Sequence, residues 1–138
     1  MLIPKQKKYK KEQKGKNFKL ITATVGLNRL KFGSIGLISL SCGRLTSKQI
    51  DSMQQTINKI IKKLGTLRLN IFPDTPISKK PIEVRMGKGK GMVDHWIFKV
   101  KSGTLLCEVE TSILSVGIKA IQTAQIKLPL KTKLIYNK

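Results

Sequence analysis

The amino-acid sequence predicts a single α+β domain that carries a basic, extended N-terminal arm. Three observations support this prediction. The chain has 138 residues, which is the length of one ordinary domain. Hydrophobic residues make up 40% of it, which is enough to form a core. Two segments with helical periodicity are separated by segments that alternate as strands do, so we expect a mixed or antiparallel sheet with two helices. We assign residues 1–22 to the arm and residues 23–138 to the domain.

A strand and a helix are expected at the start of the domain. The segment 32–41, FGSIGLISLS, alternates apolar with small residues and is typical of a strand. Thr46 can cap a helix, and Gln49 lies at the capping-box position three residues later. Apolar side chains then recur at helical spacing as far as Leu64, and Gly65 is expected to end the helix.

The middle of the chain is expected to be mainly β-structure. Alternating patterns predict four further strands, at residues 66–72, 82–86, 93–101 and 104–110. The proline-rich segment 72–81 is predicted to be a loop, because prolines interrupt strand pairing. Ser102-Gly103 forms a two-residue turn, which is typical of a hairpin. Four aromatic side chains in these apolar stretches are expected in the core: Phe32, Phe72, Trp96 and Phe98.

A second helix and a last strand are expected near the C-terminus. Ser112 is the expected cap of this helix, and Pro129 is expected to end it. Residues 130–136 then alternate as a strand. The resulting order is strand, helix, several strands, helix, strand, which is typical of an α+β domain.

The charge of the chain points to a polyanionic partner. There are 28 Lys and Arg residues against 7 Asp and Glu, which gives a net charge of +21. A folded domain with this excess needs a partner such as nucleic acid, and an anionic membrane is a weaker candidate. The seven carboxylates and the single histidine, His95, nominate no acid or base for catalysis, so an enzyme is not expected.

Several other classes of protein are not expected. Cys42 and Cys107 are far apart in the sequence, and neither belongs to a CxxC motif. We therefore expect neither a disulfide framework nor a zinc site. No cofactor is predicted. Apolar runs are too short to span a membrane. The first residues lack the apolar stretch of a signal peptide and the arginines of a transit peptide.

Two segments carry concentrated positive charge. The arm is rich in lysine and contains one acid, Glu12, and one tyrosine, Tyr9, which could stack on a base. Such a composition predicts little order without a polyanion. Residues 85–92, RMGKGKGM, form what we call the glycine finger. It matches neither a Walker loop, because Gly91 is followed by Met92, nor a dinucleotide loop, because no helix follows. A flexible basic finger between strands remains, suited to phosphate contacts.

The sequence resembles the family of bacterial-type large-subunit ribosomal protein number sixteen. The similarity runs through MLIPKQKKYKKEQKGKN, FGSIGL, GRLTSKQID, FPDTPISKKPIEVRMGKGKG and KLPLKTKL, in this order along nearly the whole chain. This resemblance implies an α/β-hammerhead domain on large-subunit rRNA, beside the peptidyl-transferase region, where it helps to position tRNA. It also implies tRNA and neighbouring large-subunit ribosomal proteins as partners, and no homo-oligomer.

The resemblance also assigns roles to residues. It implies rRNA contacts for seven lysines of the arm and for two residues at the head of the first helix: Lys5, Lys7, Lys8, Lys10, Lys11, Lys14, Lys16, Arg44 and Lys48. It implies that the glycine finger points towards tRNA through Arg85, Met86, Gly87, Lys88, Gly89, Lys90 and Gly91. Gln54 and Gln55 stand where the family usually has arginines, which predicts weaker phosphate binding on that part of the helix.

Three hypotheses of function follow. The leading one is a structural protein of the large ribosomal subunit. The second is a free nucleic-acid-binding protein of a nucleoid, and the third is an enzyme acting on an anionic substrate. The chain has 24 lysines but only 4 arginines, and Lys, Ile and Asn together make 46 residues, a composition typical of AT-rich genomes. We therefore expect a mitochondrion-encoded protein of the mitochondrial ribosome, with a plastid or a bacterial cytoplasm as the alternatives.

Overall fold

The computed structural model of the chain describes residues 2–13 and 30–136. Lys14, Lys16 and the expected boundary between arm and domain lie outside the described residues. The elements are β1 (Ile35–Ser39), β2 (Gly43–Thr46), α1 (Ser47–Ile61), β3 (Gly65–Leu69), β4 (Thr75–Lys79), β5 (Met92–Val100), β6 (Leu105–Thr111), α2 (Leu114–Gln125) and β7 (Thr132–Tyr136).

The described strands form two antiparallel sheets. The larger sheet has the strand order β3-β6-β1-β7, and the smaller one has the order β2-β5-β4. The two helices pack against each other, and α2 also contacts β1, β6 and β7 of the larger sheet. Apolar side chains of both helices and of the larger sheet share one buried cluster, with Leu45 and Val100 joining it from the smaller sheet. The predicted α+β class is confirmed.

Helix α1 follows the local signals in the sequence. Thr46 is the N-cap: its hydroxyl accepts the Gln49 backbone N–H at 3.3 Å, and its own N–H donates to the Gln49 side chain at 2.9 Å. This reciprocal pair is the predicted capping box. Four side chains spaced at helical intervals are fully or almost fully buried: Ile50, Met53, Ile57 and Ile61. The helix ends earlier than predicted, because Lys62 takes a positive φ of 50° and Gly65 already begins β3.

The proline-rich segment is partly a strand, which corrects the predicted loop. β4 includes Pro76 and lies at the edge of the smaller sheet, where a residue without an N–H is tolerated. The predicted strand at 82–86 is wrong. Residues 81–91 form no regular element, and Ile82 and Met86 are almost fully exposed. The short strand β2 is an element that the sequence analysis missed.

The Ser102-Gly103 turn is present, but it does not make a hairpin. The Thr104 N–H donates to the Lys101 carbonyl at 3.2 Å across the turn. The strands on either side, β5 and β6, belong to different sheets. The turn instead reaches β1, because Gly103 donates its N–H to the Ser39 carbonyl and Ser39 donates to Thr104. This segment therefore carries the chain from one sheet to the other.

Helix α2 differs from its prediction at both ends. Its N-cap is Ile113, which makes no side-chain cap, whereas Ser112 donates its backbone N–H to Leu64. The helix ends at Gln125, before Pro129. Gly117 lies on the buried side, where an added Cβ would come within 2.6 Å of the Ile35 side chain. A residue without a side chain therefore allows α2 to approach β1 closely.

A buried carboxylate organises the start of the domain. Glu108 of β6 is 2% exposed and accepts the backbone N–H groups of Lys31, Phe32 and Gly33 at 2.9, 2.8 and 3.2 Å. The Asn70 amide donates to its other oxygen at 2.7 Å. Desolvation alone would raise the pKa of Glu108, but these four hydrogen bonds outweigh it and lower the pKa below its ordinary value.

The same loop explains why one expected core residue is wrong. Phe32 is 60% exposed, because the bonds to Glu108 hold its backbone at the surface. Its ring lies against the Arg68 guanidinium, whose carbon is 3.6 Å from the ring centre, as a cation–π pair. Phe72 is also exposed at 44%, whereas Trp96 and Phe98 are half-buried.

We expect Glu108→Gln to lower the free energy of unfolding by about 1–3 kcal/mol at neutral pH, because the amide is uncharged and has one acceptor oxygen, whereas the carboxylate uses one oxygen for the backbone N–H groups and the other for Asn70. Because the pKa of Glu108 is lowered in the folded state, its carboxylate stabilises the fold at pH values above the ordinary glutamate pKa of about 4.3. This stabilisation is lost as the pH falls through the folded-state pKa. Urea unfolding across pH measures the effect. Glu110→Gln, an exposed position on the same strand, is the matched control; an equal loss there would contradict this role of Glu108.

Candidate nucleic-acid interface

The described part of the arm, residues 2–13, lies against the smaller sheet. Lys7 is its main anchor: its Nζ donates to the Asp74 carbonyl at 2.7 Å and lies 3.3 Å from the Glu12 carboxylate. The same ammonium is 5.5 Å from the centre of the Trp96 ring, within cation–π range. Lys7, predicted to bind rRNA, is therefore also a structural contact between the arm and the domain.

Glu12 joins the arm to β5 and to the glycine finger. Its carboxylate lies 3.7 Å from Lys99 Nζ on β5. Its backbone carbonyl accepts a hydrogen bond from Lys90 Nζ, and Lys11 Nζ donates to the Lys90 carbonyl at 2.8 Å. The arm and the base of the finger therefore hold each other by two reciprocal lysine–carbonyl contacts. Neither contact had a local signal in the sequence, because the partners are 78 and 79 residues apart.

The remaining described lysines of the arm face solvent. Lys5, Lys8 and Lys10 are exposed, and Lys8 Nζ lies 5.6 Å from the ring centre of Tyr9, which is 70% exposed. These charges are available to a polyanion because the fold does not bury them.

The head of α1 lies beside the arm. Arg44 is exposed on β2, opposite Lys99 in the strand register, and Lys48 is exposed in the first turn of α1. Arm, helix head and β5 enclose a cavity of about 610 Å³, which we call the arm cavity. Its lining residues are Ile3, Pro4, Lys5, Lys7, Lys10, Thr46, Ser47, Lys48, Val93, Asp94, His95 and Trp96. Two groups of cations predicted separately in the sequence thus form one surface.

The glycine finger projects from the smaller sheet. Residues Arg85 to Gly89 are exposed, and Met86 is 99% exposed. Gly87, Lys88 and Gly89 have positive φ values of 107°, 51° and 82°. An added Cβ at either glycine would contact nothing within 4 Å, so glycine is needed there for backbone conformation rather than for space.

The two lysines of the finger differ in their surroundings. Lys88 is exposed at the tip, whereas Lys90 is half-buried and turned back onto Glu12. Lys80, the residue after β4, donates to the Gly87 carbonyl and thereby supports the exposed part of the finger. Lys80, Lys99 and Glu12 are three interface residues that the sequence analysis did not single out.

The described residues offer little for catalysis. His95 Nδ1 is paired with the Asp94 carboxylate at 2.8 Å, and this hydrogen bond lowers the pKa of Asp94. Burial raises the pKa of the Cys107 thiol to about 12, which makes it a poor nucleophile. Within residues 2–13 and 30–136, no three His, Cys, Asp or Glu side chains are grouped to hold a metal. None of the described helices is long and apolar enough to cross a membrane.

Comparison with known proteins tests the hypotheses of function. The pattern of the family described as "Ribosomal protein L16p/L10e" matches residues 4–135. The chain belongs to this family. The predicted membership is therefore confirmed, and a family of ribosomal proteins supports the structural hypothesis over the enzyme hypothesis.

Individual relatives agree over the full length. The chain is 41% identical over 138 residues to large ribosomal subunit protein uL16 of Dichelobacter nodosus, covering 100% of this chain and 98% of that one. It is 48% identical over 135 residues to the protein of the same name from Karelsulcia muelleri, covering 98% and 97%. The uL16 of Alkalilimnicola ehrlichii is 42% identical over 135 residues, covering 98% and 96%. Membership in the L16p/L10e family thus rests on similarity across arm, core and finger.

We expect Glu12→Gln to loosen the arm, because it removes the carboxylate shared by Lys7 and Lys99. Exposed ion pairs contribute up to about 1 kcal/mol, so amide exchange in residues 2–13 should become about two- to fivefold faster. Hydrogen exchange of the free protein, read by mass spectrometry, measures this. Glu83→Gln, an exposed position in the loop before the finger, should leave the arm unchanged. Equal exchange in both variants would contradict the anchoring role of Glu12.

Proposed function

We propose that this protein is a structural component of the large ribosomal subunit and that it binds large-subunit rRNA. The observation that carries the proposal is the single cationic surface made by the arm and the head of α1, in a chain with a net charge of +21. Its relatives are named large ribosomal subunit proteins, which supports the same assignment. The mechanism is electrostatic: lysines neutralise phosphates and release counterions, while the core fixes where the charges lie.

We assign rRNA binding to the seven arm lysines, Arg44 and Lys48. The exposure of Lys5, Lys8 and Lys10 and their place on the docked arm support this role. Lys7 and Lys11 can contribute charge while also holding the arm, because an ammonium group has three donors. Lys14 and Lys16 are included on their sequence alone.

We further propose that the glycine finger reaches towards tRNA. The exposure of Lys88 at its tip supports this contact, since only the base of the finger, at Lys90, is turned back onto the arm. Neighbouring large-subunit proteins are the other expected partners.

For the compartment, the lysine- and isoleucine-rich composition supports an AT-rich organellar genome, and the three relatives named above are bacterial. Fractionation of source cells with a specific antibody distinguishes mitochondrion, plastid and bacterial cytoplasm.

The test of rRNA binding is sedimentation of native lysate at rising salt. The chain should migrate with the large subunit until concentrated salt removes it. A variant with Lys5, Lys8 and Lys10 changed to Gln should be released at lower salt, with the slope of log K against log salt reduced by about one per lysine. The same change at Lys119, an exposed lysine of α2, is the control. Migration as a free protein or with DNA would instead favour the nucleoid hypothesis.

The finger is tested with Lys88→Ala rather than with a Lys90 variant, because Lys90 also contacts the arm. We expect normal incorporation into the subunit and weaker tRNA binding to assembled ribosomes. Removal of residues 1–16 should have the reverse effect and block incorporation. Filter binding of tRNA and gradient analysis measure the two outcomes. Equal incorporation defects in both variants would contradict the separate roles of finger and arm.

A further inference from the structure

We propose that the arm cavity binds one unstacked nucleotide of the RNA, with its base beside Trp96 and its phosphate among the lysines at the rim. The inference rests on the proposed rRNA binding and deepens it, because it names the form of RNA that this surface takes. A helical RNA segment keeps its bases stacked inside, so its phosphates could contact the lysines at the rim but its bases could not enter the cavity. A nucleotide whose base is turned out of the stack could do both.

The size and lining of the cavity suit a nucleotide. A volume of about 610 Å³ falls in the range of small-ligand sites, roughly 300–1,000 Å³. The lining is more apolar than polar, with Ile3, Pro4 and Val93 beside Trp96. A phosphate group would not be stabilised by apolar side chains. A base would be, because its two faces are removed from water when it stacks.

Cations stand on two sides of the opening. Lys5 and Lys10 belong to the arm, are exposed, and form no hydrogen bond or ion pair within the described part of the chain. Lys48 faces them from the first turn of α1. The positive end of the α1 dipole lies at the same place and adds to the attraction of an anion. A phosphate at the rim would meet charge from both walls.

Trp96 in the lining provides an aromatic surface on which a base can stack. Trp96 is half-buried on β5, and Lys7 is held 5.5 Å from its ring centre by bonds to Asp74 and Glu12. An aromatic side chain that is already held in place loses little entropy when a base stacks on it. Stacking on an aromatic residue is tolerant of base identity, so further selectivity must come from polar groups in the cavity.

Asp94 is the polar group that can select a base. Its carboxylate lines the cavity, and one of its oxygens pairs with His95 at 2.8 Å, which leaves further acceptor capacity. An ionised carboxylate accepts hydrogen bonds from the amino groups of guanine, cytosine and adenine. Uracil has no amino group and can offer a carboxylate only one donor, its N3–H, whereas guanine offers N1–H and an amino group together. The cavity should therefore prefer guanine over uracil.

The experiment uses the full chain and its single tryptophan, Trp96, as the reporter. The protein is titrated with 5′-GMP, UMP and ribose 5-phosphate at constant ionic strength while tryptophan emission is followed. We expect saturable quenching by GMP, at least about fivefold weaker binding of UMP, and no quenching by ribose 5-phosphate. Equal binding of GMP and ribose 5-phosphate, or no saturable quenching by GMP, would overturn the proposal.

Matched variants test the residues. Lys10→Ala should weaken GMP binding by about three- to tenfold, whereas Lys8→Ala, on the same arm but outside the cavity lining, should not. Asp94→Asn should remove the preference for GMP over UMP. Circular dichroism of each variant checks that the fold is intact. Equal effects of the two lysine variants would overturn the assignment of the rim.

A parallel measurement separates this inference from the proposed function. Binding of the same protein to a large-subunit rRNA transcript is measured by filter retention. Retained rRNA binding without GMP quenching would overturn the nucleotide site alone, whereas loss of rRNA binding would overturn the proposed function.

Discussion

Repulsion among its own positive charges is the constraint on which the rest of this structure depends. The chain folds with 28 cationic side chains and only seven carboxylates, so few acids are present to offset the positive charge. Glu108 is buried and gathers four hydrogen bonds that fix the entry to β1. Glu12 lies between Lys7 and Lys99 and holds the arm on the smaller sheet. Two of the seven acids therefore hold separate parts of the chain together, one at the entry to β1 and one at the arm.

The fold separates neutral packing from charge. The shared core of the two helices and the larger sheet is apolar, whereas the smaller sheet carries the arm and the finger. Arg44 and Lys99 lie opposite each other on paired strands, an arrangement of like charges that costs stability in isolation. Glu12 offsets part of this cost through its ion pair with Lys99. Partial compensation of this kind keeps the surface attractive to a polyanion, because full pairing within the protein would remove the attraction.

Local signals determined which parts of the structure could be predicted. Helix α1 was predictable because Thr46, Gln49 and the spacing of its apolar residues all lie within one short segment. β4 was not, because Pro76 argues against a strand unless its edge position is known, and that position depends on distant pairing with β5. The cationic residues of the site were predictable from composition and resemblance. Their grouping around one cavity was not, since the contacts join residues far apart in the chain.

The contacts at Lys90 change how the two basic segments should be understood. The sequence predicted an arm that binds rRNA and a finger that points towards tRNA, as two separate segments of one domain. Lys90 and Glu12 instead tie the base of the finger to the arm, while Lys88 at the tip remains exposed. These contacts fix the base of the finger, while Gly87 and Gly89 at the tip take positive φ values that glycine adopts without steric cost. The docked arm therefore also fixes the base of the finger, so the position of the tip depends on the position of the arm.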